Sequence, residues 1–239
     1  MRCEICGCPS PRFFADKDGY RFVECPDCGF VFLDPMPGDA EIEALYAGSG
    51  EPDTEYSKQA SRMRRAIGLL PKFLPLIYNK TVLDVGCGGG FKVAAFGAFA
   101  KEAVGIDISE HAIAFAKRRF PKYRFLRCDY RNIGPDFGTF DLVYSSEVME
   151  HVTDLRAFMR MLRHVTRPGS RVYITTPDLG HPRVPKPVTA WSVFGPPHHV
   201  RFFNIENITR LFADHGFDLS KWYRNPKPGL KLLFERVRP

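Results

Sequence analysis

Four groups of residues in this 239-residue chain have the types and spacing to do chemistry. The first is two thiol pairs, Cys3-x-x-Cys6 and Cys25-x-x-Cys28, each followed by a glycine, Gly7 and Gly29. Two such knuckles supply the four sulfurs of a tetrahedral zinc shell, and a shell filled by sulfur leaves no place for water or substrate, so that ion would be structural. Cys8 lies outside the pattern. A redox pair is the competing use of Cys-x-x-Cys, but that motif sits at a helix start, not in two matched turns. The second group is Asp84-Val85-Gly86-Cys87-Gly88-Gly89-Gly90. Gly86, Gly88 and Gly90 accept backbone angles closed to other residues and let a ligand lie against the main chain. Asp107 follows about twenty residues on, where a doubly wound fold places a ribose-binding carboxylate. A phosphate-binding loop would need Lys-Ser or Lys-Thr after its last glycine, and Phe91-Lys92 does not provide it. The third group is Glu147-x-x-Glu150-His151. On a helical turn both carboxylates share a face, so they can converge with the imidazole adjacent. The fourth is His198-His199, whose ionisation near neutrality suits a general base.

The elements that must position these groups alternate between strand and helix. Val82–Val85 reads as a buried strand, Phe91–Ala100 as a helix, and Ala103–Ile108 as the next strand. Glu110–Phe120 reads as a helix whose Lys117-Arg118-Arg119 complement its negative end. A third strand precedes Arg127-Cys128-Asp129-Tyr130, and Phe140–Ser146 is the fourth. The following helix carries Leu155, Phe158, Met159, Leu162 and Val165 on one face. Arg156, Arg160, Arg163 and Arg167 lie on the other, either as a wet face or as a stripe that could lie on nucleic acid. Val172–Thr175 is the fifth strand. A long proline-rich connection through His181, Trp191, Phe194 and His198-His199 then leads to a helix near Asn204, and its aromatic content argues against disorder. Phe217–Tyr223 and Leu230–Val237 read as a closing hairpin. Near the start, Phe30–Leu33 reads as a strand stopped by Pro35, and helices are expected from Asp39 to Tyr46 and from Thr54 to Leu70. The chain thus divides into a zinc ribbon at 1–37, a helical lid or linker at 38–80, and an α/β domain at 81–239.

The order Asp-x-Gly-x-Gly-x-Gly, with an acid before the first glycine, resembles motif I of the class I S-adenosylmethionine-dependent methyltransferases. That likeness covers about Thr81 to Arg236. It implies a Rossmann-like sheet of order 3-2-1-4-5-7-6 with an antiparallel last strand. It also implies S-adenosyl-L-methionine as cofactor: Asp84 near the methionyl end, Gly86, Cys87, Gly88 and Gly90 under the nucleoside, Asp107 with Ile108 at the ribose, and Asp129 with Tyr130 at the adenine edge. Ser145 completes the implied set. The ribbon, aromatic strand and motif I together resemble bacterial methyltransferases of polysaccharide and natural-product pathways, in which the helices around Tyr46 and Tyr56 would cover the cofactor as a lid. A plain connecting segment is the alternative.

The Glu147, Glu150, His151 cluster resembles the metal site of ubiquinone-pathway O-methyltransferases and of small-RNA 3′-terminal 2′-O-methyltransferases, with His198 or His199 as a further ligand. Glu-His also occurs at this position in methyltransferases without a metal, where it would order the turn. His198-His199 resembles the place where sugar methyltransferases carry the base. The structural alternative has one histidine bonding a carbonyl and the other exposed. The expected function is methyl transfer to a small molecule, such as a sugar-linked or natural-product hydroxyl, with His198 or His199 as base. A metal-dependent RNA 2′-O-methyltransferase is the alternative, and a non-enzymatic cofactor-binding or zinc-mediated interaction module is the third reading.

Composition bounds these readings. With 44% apolar residues and no apolar run long enough to span a bilayer, membrane insertion is not expected. The start Met1-Arg2-Cys3-Glu4 lacks the apolar core of a signal peptide, and seven cysteines, an odd number with Cys87 and Cys128 in the core, suit reduced thiols. The expected location is the cytoplasm. The formal charge of +7 suits an anionic partner, although four thiolates on one zinc would bring the balance to roughly +5.

Overall fold

The computed structural model describes residues 2–38, 41 and 58–238. The expected helix from Asp39 to Tyr46, Tyr56 and with them the lid lie outside the described residues. The elements are β1 (Arg12–Lys17), β2 (Tyr20–Glu24), β3 (Val31–Leu33), α1 (Gln59–Ile67), α2 (Leu70–Ile77), β4 (Thr81–Val85), α3 (Phe91–Gly97), β5 (Glu102–Asp107), α4 (Glu110–Arg119), β6 (Arg124–Arg127), β7 (Leu142–Ser146), α5 (Leu155–His164), β8 (Arg171–Thr176), β9 (Arg201–Phe202), α6 (Ile205–Asp214), β10 (Phe217–Trp222) and β11 (Leu230–Arg236).

Seven strands form one sheet in the order β6-β5-β4-β7-β8-β11-β10. Counted from β4 this is 3-2-1-4-5-7-6, the expected order. β4 to β8 run parallel, whereas β11 is antiparallel to both of its neighbours. The parallel strands are near-continuous apolar runs because both faces are covered. Leu83, Val85, Val143 and Ile174 point into a core shared with α5 and α6, while Val82, Leu142, Tyr144 and Tyr173 point into one shared with α2 and α3. Asp154 starts α5 by accepting the Ala157 N–H at 2.8 Å. That helix buries Leu155, Phe158, Met159 and Leu162, and Arg156, Arg160 and Arg167 remain exposed. Arg167 pairs with Asp141 at 2.5 Å, so part of the arginine stripe is engaged within the fold.

The smaller sheet has the order β1-β2-β3-β9. Its fourth strand comes from the long connection after β8, so the N-terminal sheet extends past the 1–37 segment. The aromatics of that connection explain why. Phe194 packs on Phe22 and Phe202, with centroids 4.3 and 4.8 Å away, and together with Trp191, Val31 and Leu33 they build a satellite core. The connection is therefore packed, as its aromatic content predicts. Cys3, Cys25 and Phe30 belong to the same buried cluster as Leu83 and Val143.

Candidate active site

A cleft of about 230 Å³ opens where β4, β5, β6 and β7 end. Gly86, Asp107, Ile108, Asp129 and Tyr130 form its wall with Arg131, Glu147, Val148, His151 and Thr153. The glycine turn folds back on β5: Gly86 and Cys87 both donate to the Ile106 carbonyl. Gly86 has φ +72°, and a Cβ there would lie 2.5 Å from Val148 Cγ2; on Gly90, at φ +78°, it would lie 2.7 Å from the Phe125 ring. These glycines thus also make room for the protein's own side chains.

Asp107 is fixed at the cleft edge. Its carboxylate accepts the Gly88 N–H at 2.8 Å and the Ser109 N–H at 2.9 Å, and Ser109 in turn caps α4. Burial raises its pKa above the ordinary value despite those bonds. Each oxygen keeps a lone pair for a ligand hydroxyl. Burial also pushes Asp129 up, but the Arg131 side chain and N–H, bonded at 2.6 to 2.9 Å, outweigh it and leave it below the usual range. Cys87, Gly88 and Gly90 lie outside the cleft lining and shape the turn behind it. Asp84 and Ser145 lie deeper, each 1% exposed, and neither side chain has a hydrogen-bond partner. Burial lifts Asp84 to about 6 against the pull of Lys92.

An acid raised in the fold gives a definite pH dependence. The native state holds the Asp84 proton more tightly than the unfolded chain, so stability falls as pH rises from about 4 to about 6 and the full penalty stands above that window. Asp84→Asn is expected to stabilise the cofactor-free protein by about 2 kcal/mol at pH 7.5. The gain should vanish below pH ~4. Urea titrations at the two pH values check it, and an equal effect at both would contradict it.

The second constellation adjoins the cleft. Glu150 is fully buried; its Oε2 accepts from Thr176 at 2.9 Å and its Oε1 has no partner. Burial and then the Glu147 charge raise it to about 8. His151 Nδ1 bonds the His198 carbonyl at 2.7 Å, and His199 Nδ1 bonds the Val193 carbonyl at 2.6 Å. A carbonyl only accepts, so both Nδ1 atoms carry hydrogen and both Nε2 atoms keep a free lone pair. Burial lowers His151 to about 4, helped by His199, and lowers His199 as well. The two rings stand 4.7 Å apart, and the donor atoms of Glu150, His151 and His199 all lie within 4.8 Å of one another.

Two expectations are corrected here. Glu147 takes a left-handed φ of +58°, and the helical turn covers only Met149–His151, so Glu147 and Glu150 do not share a helical face. Instead Glu147 accepts from Thr175 at 2.6 Å and lines the cleft. The His198 ring is exposed, and that residue reaches the cluster through its carbonyl. Of the pair, His198 is exposed and His199 is half-buried and bonds a carbonyl. The supporting Thr175 and Thr176 were missed in the sequence; two adjacent hydroxyls at the end of β8 were the available signal.

The thiols of Cys3, Cys6, Cys25 and Cys28 also lie within 4.8 Å of one another, with Cys3–Cys28 at 3.7 Å and Cys6–Cys25 at 3.3 Å. The knuckles are matched: Gly7 donates to Cys3 O and Gly29 to Cys25 O, both at 2.9 Å, with φ of +78° and +66°. Tetrahedral zinc with Zn–S near 2.3 Å sets sulfurs about 3.8 Å apart, so the spacing fits. Asn204 and Asn207 donate to Cys28 O at 3.3 and 3.1 Å. Arg201, 1% exposed, bonds Glu4 at 2.6 Å and the cleft-wall carbonyl of Thr153 at 2.8 Å. Neither Glu4 nor Arg201 stood out in the sequence.

A sheet of this order, with a carboxylate-edged cleft beyond a glycine turn, defines the fold of S-adenosylmethionine-dependent methyltransferases. A methyltransferase-domain family model matches residues 57–221, and the chain belongs to that family. A probable S-adenosylmethionine-dependent methyltransferase of Mycobacterium tuberculosis is 25% identical over 156 residues, covering 64% of this chain and 54% of the relative. The chain thus spans about half the length of that curated relative. A ubiquinone biosynthesis O-methyltransferase of Idiomarina loihiensis is 25% identical over 185 residues, covering 72% of this chain and 75% of the relative. Among solved structures, magnesium protoporphyrin IX methyltransferase of Synechocystis PCC 6803 with bound SAH shares the fold with TM-score 0.56 and 16% identity, covering 83% of this chain and 94% of the other. Among the described residues no helix is long and apolar enough to cross a membrane.

Proposed function

We propose that the chain transfers the methyl group of S-adenosyl-L-methionine to a hydroxyl of a small molecule, with a divalent ion held by Glu150, His151 and His199. The observation that carries this reading is that a carboxylate oxygen of Glu150 and one ring nitrogen each of His151 and His199 lie within 4.8 Å of one another beside the cleft. When bound, a divalent ion there would lower the pKa of an accepting hydroxyl. The ubiquinone-pathway relative supports a small acceptor.

The chain's own residues do the rest. Asp107 would accept the ribose hydroxyls, and Asp84 would lie toward the methionyl end of the cofactor. The Val193 and His198 carbonyls fix both imidazole tautomers, and Thr176 orients Glu150. The sulfonium makes the methyl electrophilic, so alignment of donor and acceptor supplies most of the acceleration. In the four-cysteine centre we place a structural zinc.

Manganese tests the oxygen and nitrogen site without engaging thiolates, because Mn²⁺ is a hard ion. Paramagnetic resonance is expected to show one Mn²⁺ bound by the zinc-loaded protein, with binding about tenfold or more weaker in His199→Ala. Glu150→Ala should cut turnover of an accepted substrate, found by screening hydroxylated small molecules and short RNAs, while binding S-adenosylhomocysteine normally. No Mn²⁺ binding together with full turnover in Glu150→Ala would leave His199 as a base and remove the metal. Steeply salt-dependent methylation of RNA would replace the small acceptor.

A further inference from the structure

Lys72 on α2 lies outside the cleft lining, and aromatic rings surround its ammonium group. Its Nζ donates to the Tyr173 hydroxyl at 2.7 Å and stands 3.5 Å from the Tyr223 ring centroid, 4.0 Å from that of Tyr173 and 5.0 Å from that of Phe73. Two more lysines share this face. Lys231 pairs in register with Thr175, and Lys221 with Leu233, the partner of Tyr173; residues opposite one another on antiparallel strands point the same way. Lys221 Nζ also stands 4.9 Å from the Tyr223 ring. Among the described residues none of these three lysines has a carboxylate partner. Burial, and then the charges of Lys231 and Lys221, push Lys72 down to about 8. An aromatic cage offers a cation some compensation, but it does not neutralise three converging charges.

The position of the cluster is the second, independent observation. Tyr173 and Thr175 are two residues apart on β8 and so share a face, one pleat apart. Thr175 donates to Glu147, which lines the cofactor cleft, and also bonds Ser146 at 2.7 Å. Lys231 thus stands at the start of β11 and Lys221 near the end of β10, while Lys72 of α2 is laid against Tyr173 of β8, on the face that carries Thr175 and leads to the cleft-lining Glu147. We infer that Lys72, Lys221 and Lys231, with the Tyr173 hydroxyl and the Tyr223 ring, bind an anionic group of the methyl acceptor, a phosphoryl or carboxylate group. This rests on the reading of the cleft as a methyl-donor site with a small acceptor. The anion would sit against Lys72 and Tyr173, and the reacting hydroxyl would extend past Thr175 toward Glu147.

Trace acylation of the intact protein with acetic anhydride, read lysine by lysine by mass spectrometry, tests the inference without an identified acceptor. The reaction is run in inorganic phosphate, in acetate and in chloride at equal ionic strength, with exposed Lys101 as internal reference. A bound anion that raises the amine's pKa by about one unit leaves about tenfold less free amine near neutrality, so acylation of Lys72 should slow by about that factor. Protection by phosphate alone assigns a phosphoryl group, protection by acetate alone a carboxylate, and either supports the site. Equal Lys72 reactivity in all three salts overturns it. The variant carrying Lys221→Gln and Lys231→Gln, both near the surface, should lose most of the protection; undiminished protection there also overturns the site as drawn. Calorimetry of the same preparation with S-adenosylhomocysteine is scored separately, so a missing cofactor site would be recognised as a failure of the methyltransferase reading and not of the anion site.

Discussion

Asp107→Ala is expected to weaken S-adenosylhomocysteine binding by about a hundredfold or more while leaving the protein folded. The carboxylate serves twice. It holds the Gly88 and Ser109 N–H groups, and so fixes the glycine turn against the start of α4, and it faces the cleft with lone pairs still free. Hydrogen bonds to a charged group contribute about 1.5–3 kcal/mol each, and alanine removes those to the turn and those to the ligand together. Water can reach the vacated N–H groups at the cleft edge, so the loss should fall on affinity more than on stability. Asp107→Asn keeps one acceptor oxygen and the side-chain shape, and its loss should be about tenfold. Calorimetry supplies the affinities and circular dichroism melts supply the control. Binding by Asp107→Ala within about threefold of the parent would remove this carboxylate from the nucleoside site.

The second large effect is expected at the thiol centre. The purified protein should carry one zinc per chain, and stripping it with a strong chelator should lower the melting midpoint by about 10 °C or more. Cys3 and Cys25 are 2% and 0% exposed and sit in the main buried cluster with Phe30 and Phe32, so loss of the ion opens the core and not a surface flap. The second knuckle is tied to α6 through Asn204 and Asn207, and the first reaches the cleft wall through Glu4, Arg201 and Thr153. S-adenosylhomocysteine affinity should therefore fall along with stability. Cys25→Ser should reproduce both changes. Metal analysis that finds no zinc, with a melt unmoved by chelation, would contradict the assignment.

Much of this was legible in the sequence because it is local. The glycines after Cys6 and Cys28 announce turns that need positive φ, and both take it. Apolar runs bounded by glycine and acid mark the central strands and the closing hairpin, while the sheet order with its antiparallel β11 is what the resemblance to class I methyltransferases implies. What was not legible depends on distant contacts. β9 is two residues long and carries no periodicity, so its pairing with β3 follows only from the aromatic packing around Phe194. His198 and His199 are adjacent in the chain, and which of them turns inward is decided by the Val193 carbonyl and by the seat beside His151. Glu147 sits at positive φ ahead of the Met149–His151 turn, and its carboxylate takes the Thr175 hydroxyl of the neighbouring strand. Lys72 reads as an ordinary helical lysine until α2 lays it across Tyr173 and Tyr223.

The most direct test is a crystal structure of the protein with S-adenosylhomocysteine. The ribose hydroxyls should lie within hydrogen-bond distance of the Asp107 carboxylate, with the adenine between Ile108 and the Asp129–Tyr130 wall and the amino-acid end toward Asp84. A nucleoside bound elsewhere, or a cleft left empty by a ligand present well above saturation, would contradict the assignment of methyl transfer to this site.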